Sequence, residues 1–135
     1  MTILRGRFRT AWLMLPIALS MAACATTNSG LSSSAQRLEK SSTLLERDSN
    51  NSRVREDASK LAEETRDFRH TLADDRSDHR DVRKAFDDLS HRYHSLRDAV
   101  EKSHDRDTTR DFDSVTSTYL DIEREINRSD RYARD

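Results

Sequence analysis

The sequence predicts an all-α protein, an up-down antiparallel helical bundle of three long helices and a shorter N-terminal one. Three observations predict it. Between residues 33 and 135 no glycine or proline interrupts the chain, so no backbone-specific breaker ends a helix there. Apolar residues over the same stretch recur at alternating steps of four and three, which is the period of packed helices and not of strands. Seam residues of successive helices also mirror one another. Val54, Ala58, Leu61, Thr65, Phe68 and Leu72 of the second helix match Val100, Leu96, Tyr93, Leu89, Phe86 and Val82 of the third, the residue numbers of every pair having one constant sum. The third helix stands in the same relation to Thr108, Phe112, Val115, Tyr119, Ile122 and Ile126 of the fourth. Antiparallel helices joined by a short turn require this, since a step up one is a step down the other.

Taken in order, the first helix spans about residues 34 to 47, with Ala35, Leu38 and Leu45 on its seam and Leu44 beside it, and ends at the polar break Asp48-Ser49-Asn50-Asn51. It either docks as a fourth helix, over Ala62 or Leu120, or leaves its leucines as a face for a partner or the membrane surface. The second helix ends near Ser77 in the cluster Asp74-Asp75-Arg76-Ser77-Asp78, and the third near His104 in Ser103-His104-Asp105-Arg106-Asp107. Asp78 and Asp81, then Thr108 and Asp111, are the candidate caps or first-turn acids of the helices that follow. The bundle so drawn has six layers. Tyr119 faces Thr65, whose hydroxyl is the expected partner of the buried phenol, and Arg83 with Glu123 is the expected ion pair between the third and fourth helices.

Ahead of the helices, Arg5, Arg7 and Arg9 form a basic segment, residues 11 to 19 an apolar one too short to remain as a membrane span, and Ala22-Ala23 a small-residue cleavage site before Cys24, the single cysteine. The stretch Leu19-Ser20-Met21-Ala22-Ala23-Cys24 resembles the lipobox of bacterial lipoprotein precursors, with Met21 where that family prefers leucine. The resemblance implies cleavage between Ala23 and Cys24, a covalent lipid on the Cys24 thiol, and acylation of the new amine. Several acyl chains, at about 0.8 kcal/mol per buried methylene, make such attachment effectively permanent. Ala25, in place of aspartate, is similar to the pattern that sends lipoproteins to the outer membrane, on its periplasmic face. The expected organisation is a signal peptide at 1–23, a lipidated flexible tether at 24–33, small and polar in composition, and a bundle domain at 34–135.

Loss of residues 1–23 removes three arginines and no acid, leaving 21 basic and 25 acidic residues and a formal charge of −4, which disfavours nucleic acid as a partner. The remaining 112 residues suit one domain and contain no methionine and no Cys-x-x-Cys-His, so a haem-binding bundle is disfavoured. No serine-hydrolase order, phosphate-binding glycine loop or His-Glu-x-x-His is present, and no enzyme activity or dissociable cofactor is expected. Asp87, His91, His94 and Asp98 are spaced four, three and four residues apart along one helical stripe, where two imidazoles and a carboxylate can share zinc or copper. The seam assignment turns that stripe outward, so a solvated face is its competing reading. Comparison with the major outer-membrane lipoprotein, a single long helix joined to peptidoglycan through a C-terminal lysine, fails twice: this chain folds back at 77 and 104, and it ends Arg131-Tyr132-Ala133-Arg134-Asp135. The function expected is that of an anchored structural or protein-interaction module, with a protein partner or self-association; the alternatives are metal binding or sensing through His91 and His94, and a place as a subunit of a larger envelope complex.

Overall fold

The computed structural model describes residues 23–132, and side chains from 29 to 131. The described residues form a helical bundle of α1 (Ala23–Asp48), α2 (Ser52–Ala73), α3 (His79–Ser103) and α4 (Arg106–Tyr132), with no strand among them. The expectations at residues 1–22, which include most of the signal peptide, lie outside the described residues. Each helix packs against two others: α1 against α2 and α4, and α3 against α2 and α4.

All of the large seam residues of α2, α3 and α4 are buried or packed on the core, Leu72 and Val82 being half-buried. At roughly 1.5 to 3 kcal/mol for each large apolar side chain, this burial dominates the stability of the fold. The backbones of α1 and α2 approach most closely and those of α3 and α4 least. Side-chain size accounts for the difference. Ser34, Ala35, Ser42, Ala58 and Ala62 are small buried residues of α1 and α2, whereas α3 and α4 are held apart by stacked rings, Tyr93 on Tyr119 at 3.9 Å and Tyr93 on Phe112 at 5.7 Å between centroids.

The first helix is not the shorter one. It has 26 residues against 22 in α2 and begins at Ala23, where a flexible tether was expected at 24–33. Its buried residues explain this: Leu31, Ala35, Leu38, Ser42 and Leu45, with Ser49 just past the helix end, repeat at steps of four, three, four, three and four, a full seam with serine at two places. Leu31, 3% exposed, carries the seam back beyond residue 34. The helix docks between α2 and α4, with Ala62 buried and Leu120 left outside at 38% exposure.

Polar side chains close the helix ends. Asn51 Oδ1 accepts the N–H groups of Arg53 and Val54 at 3.0 and 3.2 Å, starting α2. Asp78 and Asp81 form a reciprocal capping box at the start of α3. At α4 the expectation of Thr108 or Asp111 is corrected: Asp105 is the capping carboxylate, accepting from the Asp107 N–H at 3.1 Å and from the Thr108 hydroxyl at 2.7 Å. Thr108 is buried and donates its hydroxyl hydrogen bond to that carboxylate, while Asp111 stays exposed. His104 ends α3 in the left-handed region with φ of 53°.

Candidate functional site

The histidine stripe of α3 is outward-facing. Asp87, His91, His94 and Asp98 are all exposed. Asp87 lies 3.3 Å from Arg83, and Asp98 lies 3.7 Å from Arg97, so both carboxylates have guanidinium neighbours. The His94 ring leans edge-on against Tyr93 at 5.4 Å and Tyr119 at 6.4 Å. Among the described residues no group of three His, Cys, Asp or Glu side chains is placed to hold a metal ion.

Beneath His94 lies a polar-edged aromatic column. Phe68 meets Phe86 at 6.3 Å, Phe86 stacks on Tyr119 at 6.0 Å, and Tyr119 stacks on Tyr93. The expected Thr65 partnership does not form: the Tyr119 hydroxyl pairs with Ser90 at 2.8 Å, and Thr65 donates instead to the Leu61 carbonyl at 2.6 Å. A buried threonine one helical turn past a carbonyl satisfies itself locally. Tyr93 donates to Thr116 at 3.2 Å. Burial pushes the Tyr119 phenol above its ordinary pKa, the Ser90 hydrogen bond opposing in part.

Arg83 does not pair with Glu123. It reaches Asp130 at 2.6 Å, where His79 also lies 2.9 Å from the same carboxylate. A long helical side chain leans toward the N-terminus of its own helix, which carries the Arg83 guanidinium past the level of its Cα toward the last turn of α4. The sequence offered no signal for this cluster, because Asp130 lies outside every seam.

Each contacting helix pair carries an ion pair: Glu39 with Arg66 and Arg69 between α1 and α2, Glu64 with Arg92 between α2 and α3, Asp130 with Arg83 between α3 and α4, and Asp121 with Arg37 between α1 and α4. Burial raises the pKa of Glu39, but hydrogen bonds and charge from Arg69 and Arg66 outweigh it and hold the carboxyl below its ordinary range. Backbone N–H groups of Asp81 and Arg80 lower Asp78, and the Thr108 hydroxyl with the Asp107 N–H lowers Asp105.

Cys24 stands in the first turn of α1. From it to Gln36 the chain bears no charged side chain. At the opposite end of α1, Ser49 and Thr108 hydroxyls meet at 3.5 Å, bringing the α1–α2 and α3–α4 connections together. Open grooves surround that end, of about 780 Å³ between α1 and α2, beside Arg47 and Arg55, and about 450 Å³ between α3 and α4, over Tyr93 and Phe112. A third, of about 230 Å³, runs between α1 and α4 beside Leu44. Leu44 and Leu120 are the exposed large apolar residues among those described, while Leu31, Leu38 and Leu45 are buried, so α1 presents no continuous leucine face. No described helix is long and apolar enough to cross a membrane. Compared with family models, curated proteins and solved structures, the chain has no match.

Proposed function

We propose that this chain is the precursor of a bacterial envelope lipoprotein, cut before Cys24, lipidated on that residue, and held at the periplasmic face of the outer membrane as a structural or protein-interaction module. One observation carries the reading. The single cysteine follows a basic and then apolar leader ending in Ala22-Ala23, at the point where the helical body begins. The grooves described at the end away from that cysteine are suited to meet a protein partner while the lipid holds the other end. Mass spectrometry of protein extracted from bacterial membranes tests it. The expected product begins at residue 24 with added acyl mass, and Cys24→Ala leaves an unprocessed precursor without lipid; a mature product beginning elsewhere, or lacking lipid, overturns it.

Within the same reading the helices run alternately up and down in six four-residue layers. The support is that cross-helix partners descend on one helix as they ascend on the next: Arg83 with Asp130, Ser90 with Tyr119 and Tyr93 with Thr116 for α3 and α4. Extending the seam of α1 gives layers such as Ser49, Val54, Val100 and Thr108 at one end and Leu31, Leu72, Val82 and Ile126 at the other. The pair Ser49→Cys and Thr108→Cys in one chain is the check. A disulfide forms on air oxidation of the soluble body in this arrangement, and its absence under conditions that oxidise control pairs rejects the α1–α4 register.

A further inference from the structure

We propose that the bundle stands on the bilayer in one fixed orientation, with the α2–α3 connection and the last turn of α4 against phospholipid headgroups and the other two connections held away from them. This rests on the lipid anchor at Cys24 and adds what the anchor alone does not supply, a defined lipid-facing surface.

The argument starts from α1, which runs without a break from Ala23 to Asp48 and whose Leu31 is packed in the core. Leu31 lies seven positions after Cys24, about 10 Å of helix at 1.5 Å per residue. The lipid therefore joins a rod, and a rod transmits direction where a slack tether would not. The end of the bundle beside Cys24 is marked by contacts. Gly30 lies so close to Glu125 that a methyl there would stand 3.0 Å from its carboxylate oxygen. Farther along α4, Asp130 Oδ1 lies 2.9 Å from the imidazole of His79, the first residue of α3. The α2–α3 connection accordingly shares the anchored end.

The chemistry of that end, with arginines and aspartates side by side, suits zwitterionic headgroups. Arg76, Arg80, Arg128 and Arg131 are exposed there, none within ion-pair distance of an acid among the described residues, although Arg80 lies in the field of Asp78, and exposed guanidinium groups can meet phosphate. The acids beside them are held in place, Asp78 and Asp81 in the capping box, Asp74 by the Arg76 N–H and Asp130 by Arg83, and keep their charge, so the surface is mixed in sign. Asp75 remains for headgroup ammonium. The far end, at Ser49, stands about 38 Å along α1 from Cys24, well beyond headgroup reach.

Depth measurement on the lipidated protein provides the test. Asp75→Cys and Asn50→Cys are each labelled with a fluorophore and reconstituted into phosphatidylethanolamine–phosphatidylglycerol vesicles bearing a headgroup quencher, after mass spectrometry has verified the lipid on Cys24. Emission from the label at position 75 is expected to be lost and that at position 50 kept. A Gly-Ser-Gly-Ser insertion after Asn28 is expected to remove the difference. Equal quenching at both positions in protein proven to carry lipid overturns the fixed orientation and leaves the anchor standing; protein without lipid overturns the anchor itself.

Discussion

Ser42 has a fully buried hydroxyl with no hydrogen-bond partner, although a serine inside a helix normally reaches the carbonyl one turn back. An unmet buried hydroxyl carries its desolvation cost with nothing in return, so Ser42→Ala is expected to stabilise the fold by about 1 kcal/mol. Chemical denaturation of the soluble body measures this, and a loss of stability would mean that the hydroxyl is bonded in solution. His104 holds φ of 53°, a conformation that strains any side chain bearing a Cβ and suits glycine, the residue most used to end helices in this way. His104→Gly is therefore expected to stabilise the fold by roughly 0.5 to 1 kcal/mol, read as a higher midpoint of unfolding. The same residue scale shows where sequence reasoning fell short. Seam positions were readable because apolar spacing is periodic, but hydroxyl partners were not: whether Tyr119 bonds Thr65 or Ser90 depends on which competing carbonyl is nearer, and no spacing rule records that.

The first helix is the element on which sequence and structure differ most. Its seam was obscured because Ser42 and Ser49 occupy two core positions, and because glycine and serine around residues 29–34 are poor helix formers whose local preference favours a tether. Burial of Leu31 overrides that preference. Leu31→Ala accordingly separates the two descriptions: a docked helix loses about 2 kcal/mol or more on creation of the cavity, whereas a leucine in a tether costs nothing measurable. Thermal unfolding of the soluble body starting at residue 24, with and without the substitution, reads the difference. By contrast, the boundaries near Ser77 and His104 were legible, since polar clusters and capping acids interrupt an otherwise continuous pattern. The outward placement of His91 and His94 was legible too, for the same periodicity that defines a seam defines the face opposite to it. The cap of α4 was less so. Asp105 and Thr108 are three residues apart and bonded to each other, and either offers capping chemistry to a reader of the sequence alone.

Across the molecule, every contacting pair of helices is tied by a carboxylate and an arginine, so acid should loosen all four interfaces together. Glu39 reports on this best, because its folded-state pKa is lowered from the ordinary value of 4.5 by Arg69 and Arg66, which prevail over burial. A carboxyl whose pKa is depressed by folding binds protons more readily when unfolded, so its stabilising contribution is fully present above the unfolded value and disappears as pH falls through the folded one. Asp78 and Asp105 act in the same direction through their caps. Exposure limits what any single surface pair contributes, so the effect should appear as a steady decline in melting temperature below about pH 4.5 and not as one sharp step. Comparison of the native chain with Glu39→Gln isolates the α1–α2 interface. Glutamine keeps hydrogen-bonding capacity toward both arginines but cannot titrate, so the variant should melt lower at pH 7 and the gap should close as the native carboxyl becomes protonated. A gap in melting temperature that stays constant from pH 7 to pH 2 would show that Glu39 contributes through packing alone, and that the charges between helices do not tie this bundle together.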